Sequence, residues 1–376
     1  MSLKVIEQIV REDKYQGEIG IAQWRTALKE AQRIESPRRS ALYGVYDEVM
    51  LDTHLTAEIE KKILEVLNMD FRFVNSNGES DEGLKNLFKH PWFYDFIRLA
   101  MEAKYYGHSL IELGEVVNGE LQGVDLIPRA HVVAQEGIVL KALSDDSGIA
   151  YRDDAAINSY LVEVGDTYDV GLLNRCVPHA FYKRFAMGTF SEYAESFITP
   201  LRIGKTNTTD TDSINRMEEM LANMSVAAYA VIGETENIEM VETNNQKNYR
   251  TFTKIIDLCN AEMTKCVHGA AVPEDGMLEL AKKANLDFVR NVINFSLLPK
   301  LANLGYVFGD FYFDFVEEEK PSELLELAKV LLPYKNITND WIAEHLGVTV
   351  EDKTEDLEVL FSAFLQTKKD EGFFNA

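Results

Sequence analysis

Residues 169–268 constrain the fold more than any other stretch of this chain. A helix, a compact α/β insert and a second helix follow one another there in strict order. The first helical region carries Phe181, Tyr182, Phe185, Phe190, Tyr193 and Phe197 and stops at Pro200. The second, from Tyr249 to Val267, places Tyr249, Phe252, Ile256, Cys259, Met263 and Cys266 at alternating steps of three and four. That spacing lays one apolar stripe along a helix. Two long helices bracketing a small insert, with no catalytic signature in either, point to a part built for assembly rather than for bond chemistry.

The insert runs from Leu201 to about Asn245. Leu201 to Thr206 reads as a strand, and Asp212 or Ser213 opens a helix running to about Met224. AAYAVIG and ENIEMVE form a hairpin across Gly233 to Thr235, which makes a βαββ unit. Upstream, Thr189 and Glu192 fit a capping box, so the first helix is expected to break at Gly188 and restart.

The N-terminal half reads as helices followed by short strands. Two amphipathic pieces surround Gly17 and Gly20, and a helical pattern then runs from Ala41 to about Asn68. FRFVNSNGES is a strand entering a turn, and residues 82–104 form another amphipathic helix. Tyr106-Gly107-His108 turns into a β-rich block in which Asn118-Gly119, flanked by alternating runs, is a strong hairpin signal. Further strands turn at Glu136-Gly137 and between Asp145 and Gly148. Beyond the second bracketing helix, residues 269–276 form a loop. A long helix follows, with Pro299 predicting a kink near residue 295. Phe311, Phe313 and Phe315 alternate with polar positions as a half-buried strand, and short helices begin at Pro321 and near Thr338 and Thr354.

The formal net charge is −24, which excludes a protein that wraps nucleic acid by neutralising phosphates. Such a field suits a solvated surface, or a passage through which a polyanion slides without sticking. Cys176, Cys259 and Cys266 lack metal-ligand spacing and read as core thiols. No apolar run approaches the roughly 20 residues of a membrane helix. The opening MSLKVIEQIVREDKYQGE is too charged for a secretory signal, so synthesis and folding in a cytoplasm are expected.

Several local motifs invite chemical readings. Gly204-Lys205-Thr206 resembles the end of a phosphate-binding loop, but that motif needs a glycine at position 199, where threonine stands. His108 has no nucleophile in a recognisable elbow to serve. Asp210 with Asp212, and Glu317 to Glu319, are acidic enough for a hard cation but lack a calcium-loop pattern. Lys183-Arg184 and Lys282-Lys283 are basic pairs near the insert, read as surface charges or as contacts to a passing polyanion. Catalytic residues, cofactors and metal sites are not expected.

Three stretches together carry a resemblance. SPRRSALYGVYDEVMLDTHLTAEIEKKILEVLNMDFRF, YYGHSLIELGEV and HAFYKRFAMGTFSEYAESFITPLRIGKTN resemble portal proteins of Mu-like tailed phages and related prophages. The last stretch resembles that family's aromatic helix followed by a Glu-Phe-Gly-x-Pro-x-Arg-Ile-Gly-Lys signature. Glu195, Phe197, Pro200, Arg202, Ile203, Gly204 and Lys205 stand in for parts of it, and Ile198 replaces its glycine. Similarity covers roughly residues 36 to 305.

The resemblance implies an α+β portal fold with a wing (1–168) and two stem helices (169–200 and 247–268). Between them it implies a small α/β clip (201–246) bearing the signature residues Pro200, Arg202, Gly204 and Lys205. A tunnel loop would follow at Gly269, Ala270, Ala271, Val272, Pro273, Glu274, Asp275 and Gly276. A kinked channel helix with a return strand (277–319) and a short crown (320–376) would complete the chain. It further implies a ring, commonly a dodecamer, at a capsid vertex of the virion, assembled in the host cytoplasm. Tyr249, Phe252, Ile256, Cys259 and Met263 would pack neighbouring subunits, and Lys282 and Lys283 would touch DNA. The implied partners are further copies of the chain, double-stranded DNA, the large terminase subunit, a head–tail connector, and the major capsid protein with its scaffold. The alternatives are a phosphate- or nucleotide-binding enzyme using Gly204-Lys205-Thr206, and another head–tail assembly protein.

Overall fold

The computed structural model describes residues 4–10, 19–198, 201–207, 209–223, 237–241, 246–270 and 275–316. The chain divides into two units, Met1–Phe315 and Val316–Ala376, and every described helix and strand belongs to the first. The strand expected at AAYAVIG and the short helices expected after Pro321 lie outside the described residues.

Helix α1 (Ile21–Ala31) leads to α2 (Ser40–Val49) and α3 (Thr53–Leu67). The single helix expected from Ala41 to Asn68 is therefore two. Asp52 interrupts it: its backbone is extended, and its carboxylate accepts the amides of His54 (3.0 Å) and Leu55 (3.1 Å). Satisfying these first-turn donors restarts the helix in a new direction.

Strand β1 (Phe71–Val74) follows, then α4 (Glu82–Phe88) and α5 (Pro91–Tyr106). Here too one expected helix is two, because Pro91 cannot donate within a helix but fits the first position of a new one.

The β-rich block comprises β2 (His108–Leu113), β3 (Val116–Val117), β4 (Glu120–Leu121), β5 (Val124–Leu126), β6 (Val132–Val133), β7 (Ile138–Leu140) and β8 (Gly148–Ala150). Helix α6 (Ala155–Asn158) and β9 (Leu161–Gly165) complete it. All pairings are antiparallel, in the orders β5-β2-β9, β3-β4 and β6-β7-β8. The β3-β4 hairpin turns through Asn118 and Gly119, both with positive φ (55° and 85°), as the sequence predicts. A Cβ on Gly107 would meet the Asp169 carbonyl at 2.3 Å, and one on Gly171 the Tyr105 carbonyl at 2.2 Å. Both glycines also have positive φ, so the end of α5 and the approach to the next helix cross backbone against backbone.

Helix α7 (Leu173–Ile198), β10 (Leu201–Lys205), α8 (Thr211–Asn223), β11 (Asn237–Val241) and α9 (Gln246–His268) form the helix–insert–helix region. The break expected at Gly188 does not occur, and α7 is continuous through it. Strands β10 and β11 pair antiparallel, with Gly204 opposite Ile238.

Helix α10 (Asp275–Val292) passes through a π turn at Ile293–Leu297 into α11 (Leu298–Asn303). Pro299 has no N–H to offer the Phe295 carbonyl, so the irregularity expected near residue 295 takes this form. Strand β12 (Tyr312–Phe315) returns to pair with β1, placing Phe313 opposite Phe73. Phe313 is fully buried among Phe71, Phe73 and Phe93, with ring centroids 5.5–5.7 Å apart. This aromatic cluster belongs to one main core shared by α2, α3, α5, α7, α10 and the β1–β12 pair. A smaller core lies under β6–β8.

His108 is spent structurally. It is buried, with Nε2 2.9 Å from Glu163, which also accepts from Tyr151 (2.9 Å) and from Arg152 Nε (3.0 Å). Burial pushes the Glu163 carboxyl up, but the hydrogen bonds from His108, Arg152 and Tyr151 outweigh it and hold it at about 2, against an ordinary 4.5. A depressed carboxyl contributes stability that is complete above pH 4.5 and lost as pH falls toward 2. Glu163→Gln is therefore expected to cost about 2 kcal/mol at pH 7. Urea unfolding should show that difference shrinking below pH 4; a difference constant from pH 7 to pH 3 would count against the assignment.

Candidate functional site

Helices α7 and α9 run antiparallel and pack along their length, about 39 and 35 Å at 1.5 Å per residue. At the insert end, the Phe252 ring contacts Phe190 (5.6 Å) and Tyr193 (5.8 Å) of the same chain. At the opposite end, Cys176 of α7 lies in the main core, and Cys266 of α9 packs against that core. Cys259 and Met263 are buried between them, at 5% and 0% exposure.

This changes the part assigned to the apolar stripe. Cys259 and Met263 are consumed inside the subunit, and Phe252 and Ile256 are half-buried. Tyr249 lies on α9, and its side chain is outside the described residues. What faces outward is a second apolar set: Tyr182, Phe185 and Met187 from α7, with Ile255 and Leu258 from α9. Phe185 is 74% and Leu258 60% exposed. Between the helices lies an open groove of ≈ 490 Å³, apolar apart from His179, Thr189 and Glu262.

The pair is anchored at the α2–α3 elbow. Lys183 of α7, only 8% exposed, donates to Asp52 at 2.9 Å, and Asp52 is the residue that caps α3. Arg184 reaches the Glu48 carboxylate (3.0 Å) and carbonyl (2.8 Å). On the α9 side, His54 Nε2 lies 3.1 Å from the Asn260 carbonyl and 2.9 Å from Thr264 Oγ1. His268 Nε2 lies 2.6 Å from Glu58. Lys183 is thus not a free surface charge, and Arg184 is ion-paired at the surface. Sequence reading missed this anchor because Asp52 lay inside an uninterrupted apolar pattern; an Asp immediately before Thr53 was the available signal of a helix start.

The phosphate-loop reading fails on geometry. Gly204 and Lys205 sit in strand β10, opposite Ile238 and Asn237, and α8 begins only at Thr211. Such a loop needs backbone amides converging at a helix N-terminus directly after the glycine. Gly204 has a packing role instead, since a Cβ there would meet the Met217 side chain at 2.6 Å. Arg202 lies in the same strand opposite Met240, and Pro200 is outside the described residues.

Asp210 is occupied by the start of α8, accepting from the Ser213 hydroxyl (2.5 Å). Glu317 to Glu319 lie outside the described residues. Among those described, no three acidic, histidine or cysteine side chains gather as a metal site would require, and no helix is long and apolar enough to cross a membrane.

Gly269 ends α9 in a left-handed conformation (φ 84°), its amide bonded to the Lys265 carbonyl (2.8 Å), and Ala270 follows. Ala271, Val272, Pro273 and Glu274 are outside the described residues, while Asp275 and Gly276 already belong to α10. Lys282 is half-buried on that helix and Lys283 exposed.

Comparison with known proteins bears on this arrangement. The family described as "Portal protein of Mu bacteriophage" matches residues 43–348. Among curated proteins, none matches the chain. A chain solved in the virion of a native gene transfer agent particle shares 9% identity with a TM-score of 0.56, over 88% of this chain and 99% of that one. A chain in the neck of the native particle, computed with C12 symmetry, shares 8% identity with a TM-score of 0.53, over 87% and 99%. An HK97 family phage portal protein from Corynebacterium diphtheriae shares 12% identity with a TM-score of 0.41, over 74% and 96%. At such identities the first two likenesses speak for the fold alone, whereas the family match extends over most of the sequence. The chain belongs to the family of Mu bacteriophage portal proteins.

Proposed function

We propose that this chain is one subunit of a closed ring at a capsid vertex, a structural conduit through which double-stranded DNA is packaged and later ejected. The observation that carries the reading is the outward apolar face of the α7–α9 pair, rigidly anchored, in a chain of this family. A ring closes by the same heterologous contact repeated around an axis, so each subunit offers a fixed face to a different face of its neighbour. Exposed Tyr182, Phe185 and Leu258 flanking an apolar groove suit such a contact. Twelve copies is the proposed number, in keeping with the C12 symmetry of the neck that holds one structurally similar chain.

In this reading residues 1–168 are the wing, α7 and α9 the stem, and residues 201–246 the clip. Residues 269–276 are the tunnel loop, 277–319 the channel helix and return strand, and 320–376 the crown. The clip docks the large terminase subunit during packaging, with ATP hydrolysis belonging to that partner, and a head–tail connector afterwards. The wing meets capsid protein and scaffold. The net charge of −24 keeps a duplex from adhering to the bore, while Lys282 and Lys283 provide weak, salt-screened contacts.

The stem contact has a direct test. Phe185→Asp combined with Leu258→Asp should leave the subunit folded, with stability changed by about 1 kcal/mol or less, because both side chains are exposed. It should abolish rings in negative-stain micrographs and reduce the mass in solution to that of a monomer. Rings that persist in the double variant would remove the assignment. Phe252→Asp should act differently, weakening the subunit itself by about 2 kcal/mol through loss of its contacts with Phe190 and Tyr193. Lys183→Met should destabilise the subunit by about 3 kcal/mol in urea unfolding, since it leaves the Asp52 carboxylate buried without its cation. A loss below about 0.5 kcal/mol would show that the anchor is dispensable.

A further inference from the structure

Helix α10 has two sides of opposite character. Leu286, Val289 and Ile293 lie buried in the main core. On the other side Met277, Leu280 and Ala284 are exposed, and Leu280 is 69% exposed. Steps of three and four residues set these three side chains in one line along the helix. A lone exposed leucine is ordinary on a protein surface, whereas an aligned apolar ridge is shaped for contact.

The groove of ≈ 490 Å³ between α7 and α9 is the matching concavity. At 1.5 Å per residue the ridge from Met277 to Ala284 is about 10 Å long, and the α9 wall of the groove, from Phe252 to Glu262, about 15 Å. Leu258 and Leu280 are both open in the same subunit, so the ridge does not fill the groove of its own chain. A further open cavity of ≈ 830 Å³, lined by Phe295, Pro299 and Val307, is itself concave and cannot fill a groove. The groove of a second copy fails for the same reason. Charge agrees with the convex choice. Exposed Lys254 lies one turn before Leu258 on α9, and exposed Glu279 borders the ridge beside Leu280.

We propose that the α10 ridge of one subunit seats in the α7–α9 groove of the next copy of this chain, with Leu280 against Phe185 and Leu258. The packing is that of an amphipathic helix laid in an apolar groove, read through anchors three and four residues apart. Glu279 approaches Lys254 at the rim, which sets the register more than the affinity. This rests on the ring reading above and names the second face that such a contact requires. Ridge and groove are different surfaces, so each subunit gives one and receives the other, and the contact repeats head to tail until it closes.

The experiment is cysteine cross-linking of the full-length chain, with micrographs of the same samples. Leu258→Cys and Leu280→Cys are combined in one subunit, oxidised with copper phenanthroline, alkylated and separated under denaturing, non-reducing conditions. A ladder of linked subunits should appear, with a peptide joining positions 258 and 280, while each single variant stays unlinked. Phe185→Cys with Leu280→Cys supplies a second pair from the α7 wall, so that one unfavourable sulfur geometry does not decide the result. Leu280→Asp should disperse rings to monomers and leave the urea midpoint of the subunit unchanged, since the side chain is exposed. Rings in which neither pair links, or rings that survive Leu280→Asp, would overturn the pairing and leave the ring reading standing. Linked dimers from Leu258→Cys alone would show groove against groove and overturn it as well. A wild-type chain that forms no rings would remove both readings.

Discussion

The contact between Lys183 and Asp52 is the hinge on which the arrangement turns. Asp52 caps α3 and receives the only slightly exposed ammonium of α7. One carboxylate thereby ties two helices together. A buried ion pair of this kind gives little net stability against an apolar alternative, because both charges must leave water. It is costly to break from one side, however, and it tolerates only one geometry. The α7–α9 pair is therefore held at a defined angle by Lys183, Arg184, His54 and His268. These polar ties act together with the core packing of Val177, Phe181 and Met263 to set where the two helices, of 26 and 23 residues, present their outward face.

A fixed face matters for a ring more than a sticky one does. Small angular errors per subunit accumulate around an axis, and heterologous contacts that fail to close grow into open filaments. The division of apolar side chains between the two sides of the helix pair fits that demand. Cys259 and Met263 bind the helices into one body, and Tyr182, Phe185 and Leu258 stay exposed, where the proposed ring contact would use them. The fold is similar to that of chains from a gene transfer agent particle at only 8–9% identity.

Much of the fold was legible in the sequence wherever a local signal had one physical meaning. Asn118-Gly119 allows φ > 0 at two successive positions and marked its hairpin directly. The Phe313 and Phe315 alternation marked a strand, although not its distant partner β1. Helix breaks were harder. Asp52 and Pro91 each restart a helix inside an apolar pattern that runs on in phase, so periodicity alone joined what caps divide. Thr189 and Glu192 misled in the opposite direction, since a capping-box spacing on an exposed helix face also occurs in mid-helix.

The proposed assembly face was legible only by half. The period from Phe252 to Met263 showed that one side of α9 is apolar, but periodicity cannot say whether the covering helix belongs to the same chain or to a neighbour. Here it belongs to the same chain. The outward set was harder to see because α7 is aromatic on several faces, with Phe181 buried and the adjacent Tyr182 exposed. Lys183 was misread for a related reason: a lysine beside an arginine looks solvated unless its distant carboxylate is known.

A cryo-electron microscopy map of the assembled oligomer tests the central claim most directly. The account predicts a ring in which the subunit boundary passes over Tyr182, Phe185 and Leu258, while Cys259 and Met263 stay covered by their own chain. A boundary elsewhere, with those three side chains in solvent, or an assembly without an open central channel, would contradict it.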